Sequence, residues 1–143
     1  MSEAATRTVQ LLEFGLGSET YCVDIAHVAE IVDVSDLTVV PNSAAHVEGV
    51  MDLRGKTTTI VDPKVVFGID EEGGRKRIVV FDPDRTTDGK SIGWIVDEVE
   101  QVVDVDSGDV ESSPVDDDDD AVRGVIKRAD DFTIWVRPTV VDV

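Results

Sequence analysis

The nine residues "GVMDLRGKT", Gly49 to Thr57, are where residue types and spacing come nearest to a recognisable chemistry. Two glycines, the second in a closing Gly-Lys-Thr, suggest a loop that cradles phosphate. Such a loop needs G-x-x-x-x-G-K-[ST] and then a helix whose N-terminus faces the phosphates. Here Gly49 and Gly55 enclose five residues, and Asp52 would put a carboxylate inside the cradle. The following "TTTIVDP" is β-branched and strand-like, so it supplies no helix dipole. Two further near misses fail as well. "DRTTDGKS" has Asp84 where the first glycine belongs, and "GLGSET" has Thr20 in place of the last glycine of a dinucleotide fingerprint. No nucleotide site is expected.

Other chemistries are equally thin. His27 and His46 have no Ser or Cys in a nucleophilic arrangement, and with the single Cys22 they do not make a zinc spacing. The run "SSPVDDDDD", Ser112 to Asp120, packs five aspartates side by side. An EF-hand loop wants alternating acids and a glycine, so the run reads as a solvated loop and not a calcium site. Paired carboxylates carry no weight in so acidic a chain. The expectation is a protein without catalysis, metal or cofactor.

Charge narrows the partners. The 143 residues carry 31 acidic against 13 basic side chains, a formal −18. That field repels nucleic acid and anionic membrane, which need clustered Lys and Arg. The one basic cluster, "GGRKR" from Gly73 to Arg77, follows Glu71 and Glu72 and reads as a solvated turn. Lysine is scarce and Asp outnumbers Glu, which favours a halophile, where salt screens self-repulsion, over a mesophile with an unusual surface. Equal stability in dilute buffer and in molar KCl would remove the basis for that reading. One cysteine excludes an internal disulfide, and Cys22 in "TYCVDI" is expected to be a small buried residue. No apolar run is long enough to span a bilayer, and "MSEAATRTVQ" lacks a signal-peptide core, so a cytoplasmic location is expected.

The elements that must position any site are mostly short strands. "TVQLLEFGL", "ETYCVDI", "RIVVFD", "SIGWIVD", "EQVVDVD" and "FTIWV" are apolar or alternating runs punctuated by glycine and proline. With aromatics at 5%, the core is expected to be mainly aliphatic. Two places read as helix: "IAHVAEIV", with Ile25, Val28, Ile31 and Val32 on one face, and "PKVVFG", opened by proline and stopped by glycine. A weak repeat divides the chain. "VAEIVDVSD" matches "VEQVVDVDS" 71 positions on, and "GVMDLRGKTTTIVDP" matches "GVIKRADDFTIWVRP" 75 positions on. The physical reading is two small β-barrels related by a pseudo-two-fold axis.

The order of these segments also resembles a known family. Tyr21, Val28-Ala29-Glu30-Ile31, Pro41, Gly49-Val50-Met51-Asp52-Leu53-Arg54-Gly55, Val61-Asp62, Phe67-Gly68, Gly93-Trp94-Ile95-Val96-Asp97 and Gly124-Val125 stand in the order of the CheW family of chemotaxis coupling proteins. The resemblance covers about residues 8 to 137. It implies one domain over 8–143 built of two SH3-like five-stranded barrels. The first spans about 15–75, and the second 76–137 plus the N-terminal strand, with the Val28–Ile31 segment helical. It also implies an adaptor between the cytoplasmic tips of methyl-accepting chemoreceptors and the regulatory domain of the histidine kinase CheA. A scaffold in another kinase pathway and a detached kinase regulatory domain are the alternatives. Carried over residue by residue, the receptor-binding positions are Val28, Glu30, Ile31, Gly49 and Arg54. Val28 and Ile31 would floor a groove for helices, and Arg54 would hold carboxylate or carbonyl groups or pair with Glu30. Two departures stand out: Asp52 replaces the family's usual Asn, and "TIWVRPTVVDV" breaks with Pro138 where a helix would follow.

Overall fold

The computed structural model describes residues 8–85, 89–111, 122–128 and 131–138. It is mainly β. Strands β1 (Thr8–Leu16), β2 (Glu19–Asp24), β8 (Glu98–Asp106), β9 (Val110–Glu111), β10 (Val122–Arg128) and β11 (Asp131–Val136) form one sheet, in the order β8-β1-β2-β11-β10-β9. Strands β3 (Val28–Asp33), β4 (Val47–Leu53), β5 (Lys56–Val61), β6 (Arg77–Phe81) and β7 (Ile92–Val96) form the other, in the order β3-β6-β7-β5-β4. Each sheet is antiparallel except at one place, β11 on β2 and β5 on β7.

The two orders superpose element for element, which gives the sequence repeat its structural meaning. β3 answers β8, β4 and β5 answer β10 and β11, and the bridge Thr38↔Val50 answers β9. The 15–75 and 76–137 division is therefore corrected. β6 and β7 complete the sheet of β3 to β5, and β2 joins β1 and β8 to β11. Hydrogen bonding between strands far apart in sequence decides the grouping, and a linear cut cannot show it. One sheet has six strands and not five, the sixth being the two-residue β9.

A second correction concerns "IAHVAEIV". Only Ile25–His27 make one 3-10 turn, started by Asp24, whose carboxylate accepts the Ala26 N–H at 2.9 Å. From Val28 the chain is strand, paired to β6. The β-branched residues at 28, 31 and 32 fit a pleated surface better than a helix, and pairing with β6 satisfies the backbone. The other helix is as expected: α1 (Pro63–Phe67) starts on Asp62 and ends at Gly68, whose left-handed backbone (φ 70°) closes it.

Three apolar clusters fill the molecule. Leu11, Cys22, Val105, Ile126 and Trp135 fill one barrel, and Met51, Ile60, Ile78, Val80 and Ile95 the other. Between the sheets lies the largest cluster, with Leu12, Phe14, Leu16 and Val23 from one sheet and Val61, Val79, Phe81, Trp94 and Val96 from the other. The central strands are buried on both faces, which is why "RIVVF" and "IGWIV" read as continuous apolar runs. The barrels are chiefly aliphatic, but this middle layer gathers Phe14, Tyr21, Phe67, Phe81 and Trp94. Trp94 takes edge-on contacts from three phenylalanines, with Phe81 nearest at 5.0 Å. Each such pair contributes about 0.5–1.5 kcal/mol beyond burial.

One polar group stitches the layer together. Asp97, at the passage from β7 to β8, accepts N–H groups from Gly17 (2.7 Å) and Arg75 (3.1 Å). The Lys64 Nζ lies 3.0 Å from its carboxylate, and both side chains are only 9% exposed. The β1–β2 turn, α1 and the segment before β6 thus converge on one carboxylate.

Each half also carries a bulge at an equivalent glycine. The register slips between Val47 and Gly49 against β5, and between Val122 and Gly124 against β11. A Cβ on Gly49 would sit 2.4 Å from the Thr38 carbonyl oxygen, at a φ of 152°. On Gly124 it would meet a movable Val110 methyl at 2.5 Å and the Glu111 oxygen at 3.0 Å. Gly49→Ala is therefore expected to destabilise the fold by about 2–3 kcal/mol, and by more than Gly124→Ala, in urea unfolding.

Candidate docking face

The β4–β5 connection is a two-residue hairpin loop, Arg54 and Gly55, between the paired Leu53 and Lys56. Both loop residues are left-handed (φ 51° and 85°), as a type I′ turn demands. Gly55 adopts this freely, whereas a residue with a Cβ pays about 1–2 kcal/mol. Arg54 is thus held where Asn or Gly would be easier, and its side chain is 73% exposed. Its guanidinium donates to the Glu30 carboxylate, on β3. That hydrogen bond first, and then the Glu30 charge, holds Arg54 still more firmly protonated than usual.

The pair spans a seam. β3 and β4 are the two ends of their sheet, and the chain leaving β3 crosses to β4 through paired bonds between Thr38 and Val50, each 2.9 Å. Val32, Val34 and Leu37 pack beneath this crossing against the barrel core. Glu30 and Arg54 close the same seam from outside. Ile31, next to Glu30, presents an apolar side chain 40% exposed, and Val39 beyond the crossing is exposed too.

Of the five positions singled out from sequence, the fold brings Glu30 and Arg54 into contact, while Ile31, one residue along β3, is exposed on the opposite side of the strand. The register slip in β3 falls at Ala29, and Val28 packs half-buried against the central layer. Gly49 is buried under the Thr38 carbonyl, so the space it leaves is taken by the chain itself. Asp52 stands exposed opposite Thr57 in the β4–β5 ladder, while Arg54 turns to Glu30. The "GGRKR" turn is less free than its sequence suggests: Arg75 pairs with Glu48 and Arg77 with Asp33. Cys22 is fully buried, as expected. The aspartate run at 112–120 lies outside the described residues.

Sequence reasoning missed a second face that its own repeat encodes. Moving 71 positions along takes Ile31 to Val102 on β8, which is 48% exposed. Beside the equivalent hairpin, Phe132 on β11 is 50% exposed. Among the described residues, no helix is long and apolar enough to cross a membrane, and no cluster of His, Cys, Asp or Glu is arranged to hold a metal ion.

Comparison with known proteins agrees with this architecture. Residues 10–141 match the CheW-like domain. A chemotaxis protein CheW of Treponema pallidum is 36% identical over 108 residues, covering 73% of this chain and 63% of that protein. That of Thermotoga maritima is 32% identical over 96 residues, covering 66% and 61%. The chain thus spans less than two thirds of the length of either relative. The crystal structure of the scaffolding protein TtCheW from Thermoanaerobacter tengcongensis superposes with a TM-score of 0.83 at 30% identity, over 100% of this chain and 94% of that one. With its paired SH3-like sheets, its ordered motifs and a domain match over nearly its whole length, the chain belongs to the CheW family.

Proposed function

We propose that this chain is a non-catalytic adaptor coupling the cytoplasmic tips of methyl-accepting chemoreceptors to the regulatory domain of the histidine kinase CheA. It works in the cytoplasm, on membrane-associated receptor arrays, without a cofactor and without itself entering the membrane. The observation that carries the receptor half is the Glu30–Arg54 pair fixed across the seam, with Ile31 exposed at the next position of β3. A receptor tip is a helical bundle, and docking it calls for an apolar contact flanked by a few fixed polar anchors. Arg54 offers a planar fork of donors, already aimed by Glu30 and by the turn.

The kinase half is assigned to the equivalent face, around Val102 and Phe132. An adaptor needs two faces that do not compete, and two barrels with one plan supply them. The −18 charge is read as adaptation to high salt, so the assay belongs in molar KCl. Mixing receptor tips, CheA and this protein should give a ternary assembly with raised kinase activity. Val102→Glu should weaken the kinase contact and leave binary receptor binding unchanged. If purified protein captures neither partner, or captures a kinase of another pathway instead, the assignment fails.

A further inference from the structure

A cleft of about 340 Å³ opens where the end of β11 meets the 3-10 turn after β2, with Asp24, His27, Arg123, Trp135 and Arg137 among the residues that line it. Glu30, Arg54 and Val102 are not among the residues that line it. In a chain with more than twice as many acids as bases, two arginines share this cleft. Its volume is at the lower end of the range for small-molecule sites, roughly 300–1,000 Å³.

Arg123 is the residue to explain. The β10 register passes from Val122↔Val136 to Gly124↔Trp135, so Arg123 is the extra residue of the bulge. Bulges commonly re-aim a side chain beside a site. Here the guanidinium lies over the Trp135 ring, 4.8 Å from its centroid. In the other half of the molecule the equivalent bulge residue is Glu48, which Arg75 neutralises. Arg123 has the opposite charge, and no carboxylate among the described residues forms an ion pair with it. Asp24 lines the same cleft, but its Oδ1 is committed to the Ala26 N–H. His27, another residue of the cleft, keeps its Nδ1 buried and without a hydrogen-bond partner. Burial pushes the His27 imidazole towards its neutral form, against the pull of Asp24, so Nδ1 can carry a proton to donate without adding a buried charge.

The geometry points to a carboxylate-binding site. It takes a small organic carboxylate, with the anionic group held by the Arg123 fork, which lies over Trp135, and its apolar body in the cleft against Val9, Pro138 and the small part of Trp135 that stays exposed. The planar fork matches a carboxylate in two parallel bonds, and an apolar lining favours a ligand with a flat or apolar body. A bare tetrahedral anion would use the charge but leave that lining uncovered.

Phenylacetate is a suitable probe, with phenylacetamide and inorganic phosphate as comparisons at constant ionic strength. Two-dimensional NMR of the unaltered protein separates the two indole N–H signals, because both rings are buried but only Trp135 borders the cleft, beneath Arg123. Phenylacetate is expected to shift the Trp135 signal saturably and leave Trp94 in place. Phenylacetamide and phosphate should bind at least about tenfold more weakly. Arg123→Glu should lose the saturable shift, and Arg123→Lys should weaken it while keeping the fold. Equal binding of the amide, equal binding of phosphate, or full retention in Arg123→Glu would each overturn the proposal. The amide and phosphate arms need no variant, so they decide even if a substitution unfolds the chain.

Discussion

Arg54→Glu is expected to abolish assembly with receptor tips while leaving the fold intact. The two effects separate because they draw on different energies. The Glu30–Arg54 pair is largely solvated on the arginine side, and such surface pairs contribute little to stability. Thermal unfolding should therefore move by only a few degrees. At a docked interface, by contrast, a reversed charge leaves both Glu30 and the receptor's acceptor facing a carboxylate. Desolvated like charges cost several kcal/mol, so affinity should fall by about a hundredfold or more. The turn supplies a control with opposite signs in the two assays. Arg54→Gly suits a type I′ position better than arginine does, so it should stabilise the hairpin slightly, by up to about 1 kcal/mol, while still losing receptor binding. A charge exchange, Glu30→Arg with Arg54→Glu, then tells what the arginine does. Partial rescue would mean that the pair stiffens the seam, and no rescue that Arg54 itself grips the receptor. Wild-type assembly and kinase activation by Arg54→Glu would remove this face from the mechanism.

The hairpin also marks how far sequence carries. "LRGK" between alternating residues is a turn signal, and the repeat foretold two equivalent sheets, because both read local pattern. What pattern could not supply was the non-local pairing. β5 lies parallel to β7 and β11 to β2. Those contacts put β6 and β7 into the sheet of β3 to β5, and β2 into the sheet of β1 and β8. The same limit explains the misread helix: Val28, Ile31 and Val32 fit one helical face as well as a strand, and only β6 decides between them. Gly49 was legible as a glycine that something needs, but its neighbour is the Thr38 carbonyl of its own chain. Asp97 stood in one of the ordered motifs, but its role as the shared acceptor had no local sign, since one acid among 31 shows no partners until they converge.

Those partners make Asp97 a sensitive polar position. Asp97→Ala would leave the Lys64 ammonium buried without its counter-ion, and the Gly17 and Arg75 N–H groups without their acceptor. Removing one member of such a pair costs about 3–5 kcal/mol, a fall in Tm on the order of 10 °C for a chain of this size. Lys64→Met should cost less, because the two N–H donors still satisfy the carboxylate. The acid limb follows from the same contacts. Burial by itself would raise the Asp97 carboxyl, but the Gly17 N–H, the Lys64 ammonium and the Arg75 N–H more than offset it and hold it below the usual carboxylate range. A carboxyl depressed in the folded state stabilises the fold fully above its unfolded value, about 3.9, and loses that stabilisation as pH falls through the folded value. Glu100 has the opposite sign, because burial and then Glu13 and Glu98 raise it, so its protonation relieves strain on the way down. The two are separated by comparing the wild type with Asp97→Asn, in which the Glu100 contribution cancels. The stability gap between them should be constant near neutrality and should close below about pH 4. A gap that stays open into strong acid would mean that the Asp97 charge is not what joins the sheets.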